Sequence, residues 1–265
     1  MGYLRFYLAL TVVMCHASYA WPGIGGCGAV EAFFVLSGLY MAAVYEAKYS
    51  VLANGARVFY LNRFLRLYPT YLFLLAFTGL CYLAMRASGA VEYPGGLFQL
   101  FTDSAALPDL KKWFVWISAF TLFGQDFQSV DVDLHYMLPV RQSWSIATEL
   151  MFYLTVPFLF RVMTWKRALT AAVIFFAIKT GLSVKDWRLA YFLPVGNFGY
   201  FLFGYALYGL STHAVIEKVK AQLAPYRLAV ALALYIPLGG GEFRACARPA
   251  CHCHCLRCGA GPVAV

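Results

Sequence analysis

The stretch Arg5–His16, RFYLALTVVMCH, decides how this chain is read. It is largely apolar, with a guanidinium at its start and an imidazole at its end. The two lie eleven residues apart. At about 100° per residue that is three turns plus about 20°, so a helix carries both on one face, about 16 Å apart along its axis. Ionisable groups on a membrane-length apolar helix are costly and need a reason to be there.

Composition agrees with a membrane setting. Hydrophobic residues make up 62% of the 265 and charged residues only 12%, about half the charged fraction of a soluble domain. Mean hydropathy is +0.67. Working outward, apolar segments are expected at 3–20, 29–46, 67–86, 144–162, 167–184, 190–210 and 227–241. Residues 21–28, WPGIGGCG, read as a turn, and 47–66 as a connection carrying Lys48, Arg57, Arg63 and Arg66. A cleaved signal peptide ending at Ser18-Tyr19-Ala20 is the competing reading of the first segment. His16 and the immediate second span argue against it. The apolar piece 113–124 is too short for a core about 30 Å thick and reads as re-entrant or interfacial, with Trp113 and Trp116 at the boundary. The expected fold is therefore all-α, a polytopic transmembrane bundle of about seven to eight spans.

Loop charges orient it. With 47–66 inside and 113–124 not crossing, Arg161, Lys166, Arg167, Lys218, Lys220 and Arg227 all fall inside, as the positive-inside tendency requires. The N-terminus is then cytoplasmic, and Lys179 lies toward the outer end of its span, where it snorkels. The net charge of +9 is explained by this orientation, and no nucleic-acid partner is inferred.

The chain divides into a membrane domain, 1–241, and an atypical tail, 242–265. In the tail Cys251, His252, Cys253, His254, Cys255 and Cys258 have zinc-type donors. Their alternating spacing is poor for one tetrahedral site, so no metal is assigned. The favoured reading is a non-native or frameshifted tail that cuts the last span short near Gly239.

Several positions carry candidate chemistry on the residues alone. His16 has an imidazole suited to general-base work near neutral pH. Counted from the outer ends of their spans, His16, Glu31 and Glu149 fall at similar depth, so Glu149 is expected to orient the His16 ring, with Glu31 facing water at the interface. Arg63 and Arg66, in NRFLRLYPTY, share a helix face at the inner end of the third span. They read either as topology-setting cations or as an anion clamp. Arg5 lies on the same inner side.

Taken in order, Arg5…His16, VEAFFVLSGLYM, RFLRLYP and WSIATELMFYL resemble the acyltransferase-3 family of multi-spanning membrane O-acyltransferases, over about residues 3–210. The resemblance implies that Arg5 and His16 are essential, that Glu149 is a functional acid, and that Arg63 and Arg66 belong to the acyl-CoA side. It implies transfer of an acyl group, commonly acetyl, from cytoplasmic acetyl-CoA to a hydroxyl of a carbohydrate or cell-surface glycan. The setting would be a bacterial inner membrane, the lipid bilayer would be the lasting partner, and no cofactor would stay bound. Glu31 stands where the family often has Asp, and Leu150 where it often has a second acid. The family's usual ten or so spans exceed those expected here. Two alternatives stay open: a transporter without chemistry, using the intramembrane Arg, His and Glu as a pathway, and an inactive, shortened acyltransferase.

Overall fold

A computed structural model describes residues 2–17, 25–89, 99–102, 104–131, 134–135, 137–140 and 142–212. The described residues form helices joined by turns and short irregular connections, without strands. Helix α1 is Gly2–His16 and α2 is Gly25–Val44, which runs on into a π-helical turn, Tyr45–Tyr49. Helix α3, Gly55–Ala87, follows, then the short α4, Gln99–Thr102, α5, Asp109–Thr121, and the single turn α6, Gln125–Gln128. The remaining helices are α7, Ser143–Val162, α8, Trp165–Lys185, α9, Trp187–Phe192, and α10, Pro194–Ser211.

Local chemistry sets these ends. Thr164 caps α8 by accepting from the Arg167 amide, and Asp186 caps α9 by accepting from the Arg188 amide at 2.9 Å. Pro194 opens α10, where its missing N–H costs nothing. After α5 the chain reverses through Leu122 and Gly124, both at positive φ, 65° and 86°.

The centre of the bundle is α2 against α10. A Cβ at Gly38 would meet the Phe201 carbonyl oxygen at 2.0 Å, and one at Gly204 would meet that of Val35 at 2.0 Å. The two backbones therefore touch, the small-residue packing typical of helices in lipid. Phe201 stacks on Phe152 of α7, with centroids 4.1 Å apart, and lies 4.9 Å from Phe34 of α2. Helices α2 and α7 run parallel in one register: Ser37 meets Glu149 and Tyr45 meets the Pro157 carbonyl, both pairs 112 residues apart. Helix α1 runs antiparallel to α2. Arg5 lies over the Tyr40 ring, and the Cys15 sulfur lies 2.8 Å from where a Gly26 Cβ would stand.

The structure corrects several sequence expectations. The connection 47–66 is mostly helix: α3 begins at Gly55 and is 33 residues long, about 50 Å at helical rise. Pro69 lies inside it and leaves the Leu65 carbonyl without its helical donor. Among the described residues four helices are long and apolar enough to cross a membrane, ending with α8, and α1 is a shorter apolar helix. The expected seven to eight spans are thus not matched by these residues, and 227–241 and the Cys/His-rich tail lie outside them. The segment 190–210 is two helices, α9 and α10, broken at Leu193.

Helix α5 has 13 residues, about 20 Å, which is shorter than a bilayer core. It buries Val115, Ser118 and Ala119, and leaves Leu110, Trp113, Ile117 and Phe120 exposed. Its last turn is held against α3, where Tyr71 and Tyr68 donate to the Ala119 and Thr121 carbonyls. Asp126 of α6 is fully buried; its Oδ1 accepts from the Phe127 amide, and its Oδ2 has no hydrogen-bond partner among the described residues. Burial raises its carboxyl to about 6.

Candidate active site

The predicted residues fall into two places. The first is built on α2, α3 and α7. Glu149, two turns into α7, accepts at Oε1 from the Ser37 hydroxyl at 2.6 Å and from the Tyr153 hydroxyl one turn away. The Tyr153 ring is buried, and the Arg63 guanidinium lies 5.7 Å from its centroid and 5.5 Å from that of Phe59. These are cation–π distances. Arg63 is only 7% exposed, and its Nε and Nη1 make no hydrogen bond among the described residues. Arg66, one turn on, is exposed. Arg5 joins from α1: its guanidinium carbon is 4.9 Å from the Tyr40 centroid, one helical turn from Ser37. Tyr49 closes the inner side. Its hydroxyl accepts from Asn62 Nδ2 at 2.9 Å and lies against Arg63.

The second place is the far end of α1. His16 is exposed, and its Nδ1 is 2.8 Å from the Val12 carbonyl oxygen. A carbonyl only accepts, so Nδ1 carries the hydrogen of that bond. The lone pair of the neutral ring is then on Nε2.

The structure does not bring Glu149 to His16. Cys15, beside His16, packs at Gly26, whereas Glu149 meets Ser37. Those two positions of α2 are eleven residues apart, about 16 Å along the helix. The expectation of equal depth came from counting both acids from the ends of their own helices. In the observed register Ser143, the first residue of α7, stands level with Glu31 rather than with Gly25, so α7 starts deeper.

Glu31 is also not the water-facing carboxylate expected. Its Oε1 accepts from Lys179 Nζ at 2.7 Å. Lys179 reaches between helices instead of snorkelling: it also donates to Asn197 Oδ1 at 3.3 Å and lies 4.7 Å from the Tyr200 centroid.

Ser37 and Tyr153 are site residues that the sequence reading did not single out. Tyr153 had a signal, since it follows Glu149 by four residues and so shares its helix face. Ser37 had none, because its partner is 112 residues away. Among the described residues no group of three or more His, Cys, Asp or Glu is placed to hold a metal.

At the inner end of this assembly is a cavity of about 350 Å³, walled by Tyr45, Glu46, Tyr49, Ala56, Arg161 and Tyr205 among others. Comparison with known proteins agrees with the sequence motifs. No curated protein and no solved structure matches the chain. A family model described as an acyltransferase domain, that of the acyltransferase-3 family, matches residues 1–247. Helices long and apolar enough for a bilayer, carrying buried charge, and a family match over nearly the whole length have one reading: the chain belongs to the acyltransferase-3 family and is an integral membrane protein.

Proposed function

We propose that the protein is a membrane-bound O-acyltransferase that moves an acyl group, acetyl in the simplest case, from acyl-CoA to a hydroxyl of a carbohydrate or cell-surface glycan. The observation that carries this reading is Arg63. It is a buried guanidinium with two unpartnered nitrogens, lying over Tyr153, which the α2–α7 register sets level with Met41 and so about 22 Å along the bundle from the His16 end. A phosphopantetheine arm has thirteen bonds from phosphorus to sulfur and spans about 15 Å when extended. Phosphate held on the Arg63 side therefore directs the thioester along the bundle toward His16. Arg66 and Arg5 add positive charge on the phosphate side.

In this reading His16 Nε2 takes the proton of the acceptor hydroxyl as its oxygen attacks the thioester carbon. The new C–O bond forms, the C–S bond breaks, and the CoA thiolate leaves. The Val12 carbonyl holds the ring tautomer, a task that in hydrolytic triads falls to a carboxylate. Glu149, held by Ser37 and Tyr153, balances the charge of Arg63. The donor is supplied from the cytoplasm of a bacterial inner membrane, with the N-terminus and the arginine side inward. The α5–α6 hairpin is re-entrant from the other side, and acyl-CoA is a substrate rather than a resident cofactor.

The test supplies membranes containing the full chain with radiolabelled acetyl-CoA and follows label into the carbohydrate fraction. His16→Ala is expected to abolish labelling while the inserted protein persists. Full labelling in that variant, or solute flux with no acetyl-CoA consumed, overturns the proposal.

A further inference from the structure

We propose that the cavity beside the π-helical turn holds the adenine nucleotide end of the acyl donor. This rests on the donor reading above and adds a site to it.

The cavity, about 350 Å³, falls in the range of small-molecule sites, about 300–1,000 Å³. Four parts of the bundle wall it: the end of α2 with its π turn, the start of α3, the end of α7, and α10. A π turn is wider than an α turn and recurs at functional sites. Here it places Tyr45 and Tyr49 on one side, with Tyr205 among the other lining residues. Aromatic rings suit a flat purine, because every base has a π face. The polar groups are of both kinds a nucleotide needs. The Glu46 carboxylate accepts from an exocyclic amine, and the Arg161 guanidinium pairs with a sugar phosphate. Lys48, its Nζ 5.6 Å from the Tyr49 centroid, adds a second cation beside the cavity.

Position strengthens the chemistry. Tyr49 lines the cavity and also lies against Arg63, so the cavity adjoins the proposed phosphate site. Along the bundle the order is then His16, Arg63, cavity. Along the donor it is thioester, phosphate, nucleotide. The two orders coincide.

The experiment titrates the full detergent-solubilised chain with two probes, CoA and 4′-phosphopantetheine, which lacks the nucleotide. The wild type is expected to bind CoA about tenfold or more tightly than 4′-phosphopantetheine, the loss expected when a ligand forfeits its hydrogen-bonded and stacked end. Ala56→Trp, which fills the cavity, and Arg161→Gln, a milder change at its exposed rim, both bring CoA affinity down toward that of 4′-phosphopantetheine. They leave 4′-phosphopantetheine binding unchanged. Equal affinity for the two probes in the wild type overturns the nucleotide site. So does CoA affinity untouched by a folded Arg161→Gln protein, or both probes weakened equally by it. Binding of neither probe by the wild type overturns the donor reading instead.

Discussion

Two ionisable clusters stand inside the helices, and they differ in how completely they are satisfied. At Glu31–Lys179, three helices supply one carboxylate, one ammonium, the Asn197 oxygen and the Tyr200 ring, and the cation uses all of them. At Arg63 the guanidinium is flanked by rings, with Nε and Nη1 unpartnered among the described residues. A closed cluster holds helices together. An open one holds a charge ready for something that arrives. Burial alone would not have separated the two, since both are largely withdrawn from solvent.

The contrast can be broken from either side. If Lys179 is structural, Lys179→Ala leaves the Glu31 carboxylate without its counter-charge and lowers stability by about 3 kcal/mol, the usual cost of breaking a buried pair. Replacing both partners at once with Glu31→Leu and Lys179→Met recovers most of that loss. Thermal unfolding of the solubilised variants measures both. An unchanged midpoint in Lys179→Ala would make that cluster as open as the other.

If Arg63 is functional, the opposite pattern holds. Arg63→Gln is expected to reduce acetyl transfer at least about a hundredfold, as loss of a single preorganised donor does, while the unfolding midpoint does not fall. A stability loss matching the activity loss would return Arg63 to the structural class.

Asp126 lies between these cases, with one oxygen bonded and one not. Its folded carboxyl sits near 6 against an ordinary 3.8. The folded state therefore binds more protons between those values, and stability is lost as pH rises from about 4 through about 6. The loss is on the order of 1–2 kcal/mol after allowing for partial hydration. A flat midpoint across pH 4–7 would show that Oδ2 is satisfied in solution. Asp126→Asn should flatten the curve if the carboxyl is its cause.

Much of this was legible in the sequence, and what was not has identifiable causes. Apolar runs located α2, α7 and α8 closely, because a lipid-exposed helix must be apolar over most of its surface. The inner third of α3 reads as a connection in the sequence because Gly55, Arg57, Arg63 and Arg66 look like loop residues. Their helix is instead fixed by packing, with Phe59 and Arg63 buried against α7 and the π turn. The family motifs carried the assignment of the chain correctly. The pairing of His16 with Glu149 does not form, because depth within a helix is local whereas the offset of α7 relative to α2 is a tertiary quantity. Lys179 and Glu31 are 148 residues apart, and no local pattern joins them.

Pro69 has a mechanical consequence. It divides α3 into an inner half carrying Arg63 and Arg66 and an outer half, with Tyr68 and Tyr71 fastening α5 from either side of the joint. With one backbone bond missing at that joint, bending stiffness is lowest between the two. A load applied at the arginines therefore meets its most compliant point where α5 braces the helix on both sides, which makes α3 a jointed lever held at its joint rather than a rod.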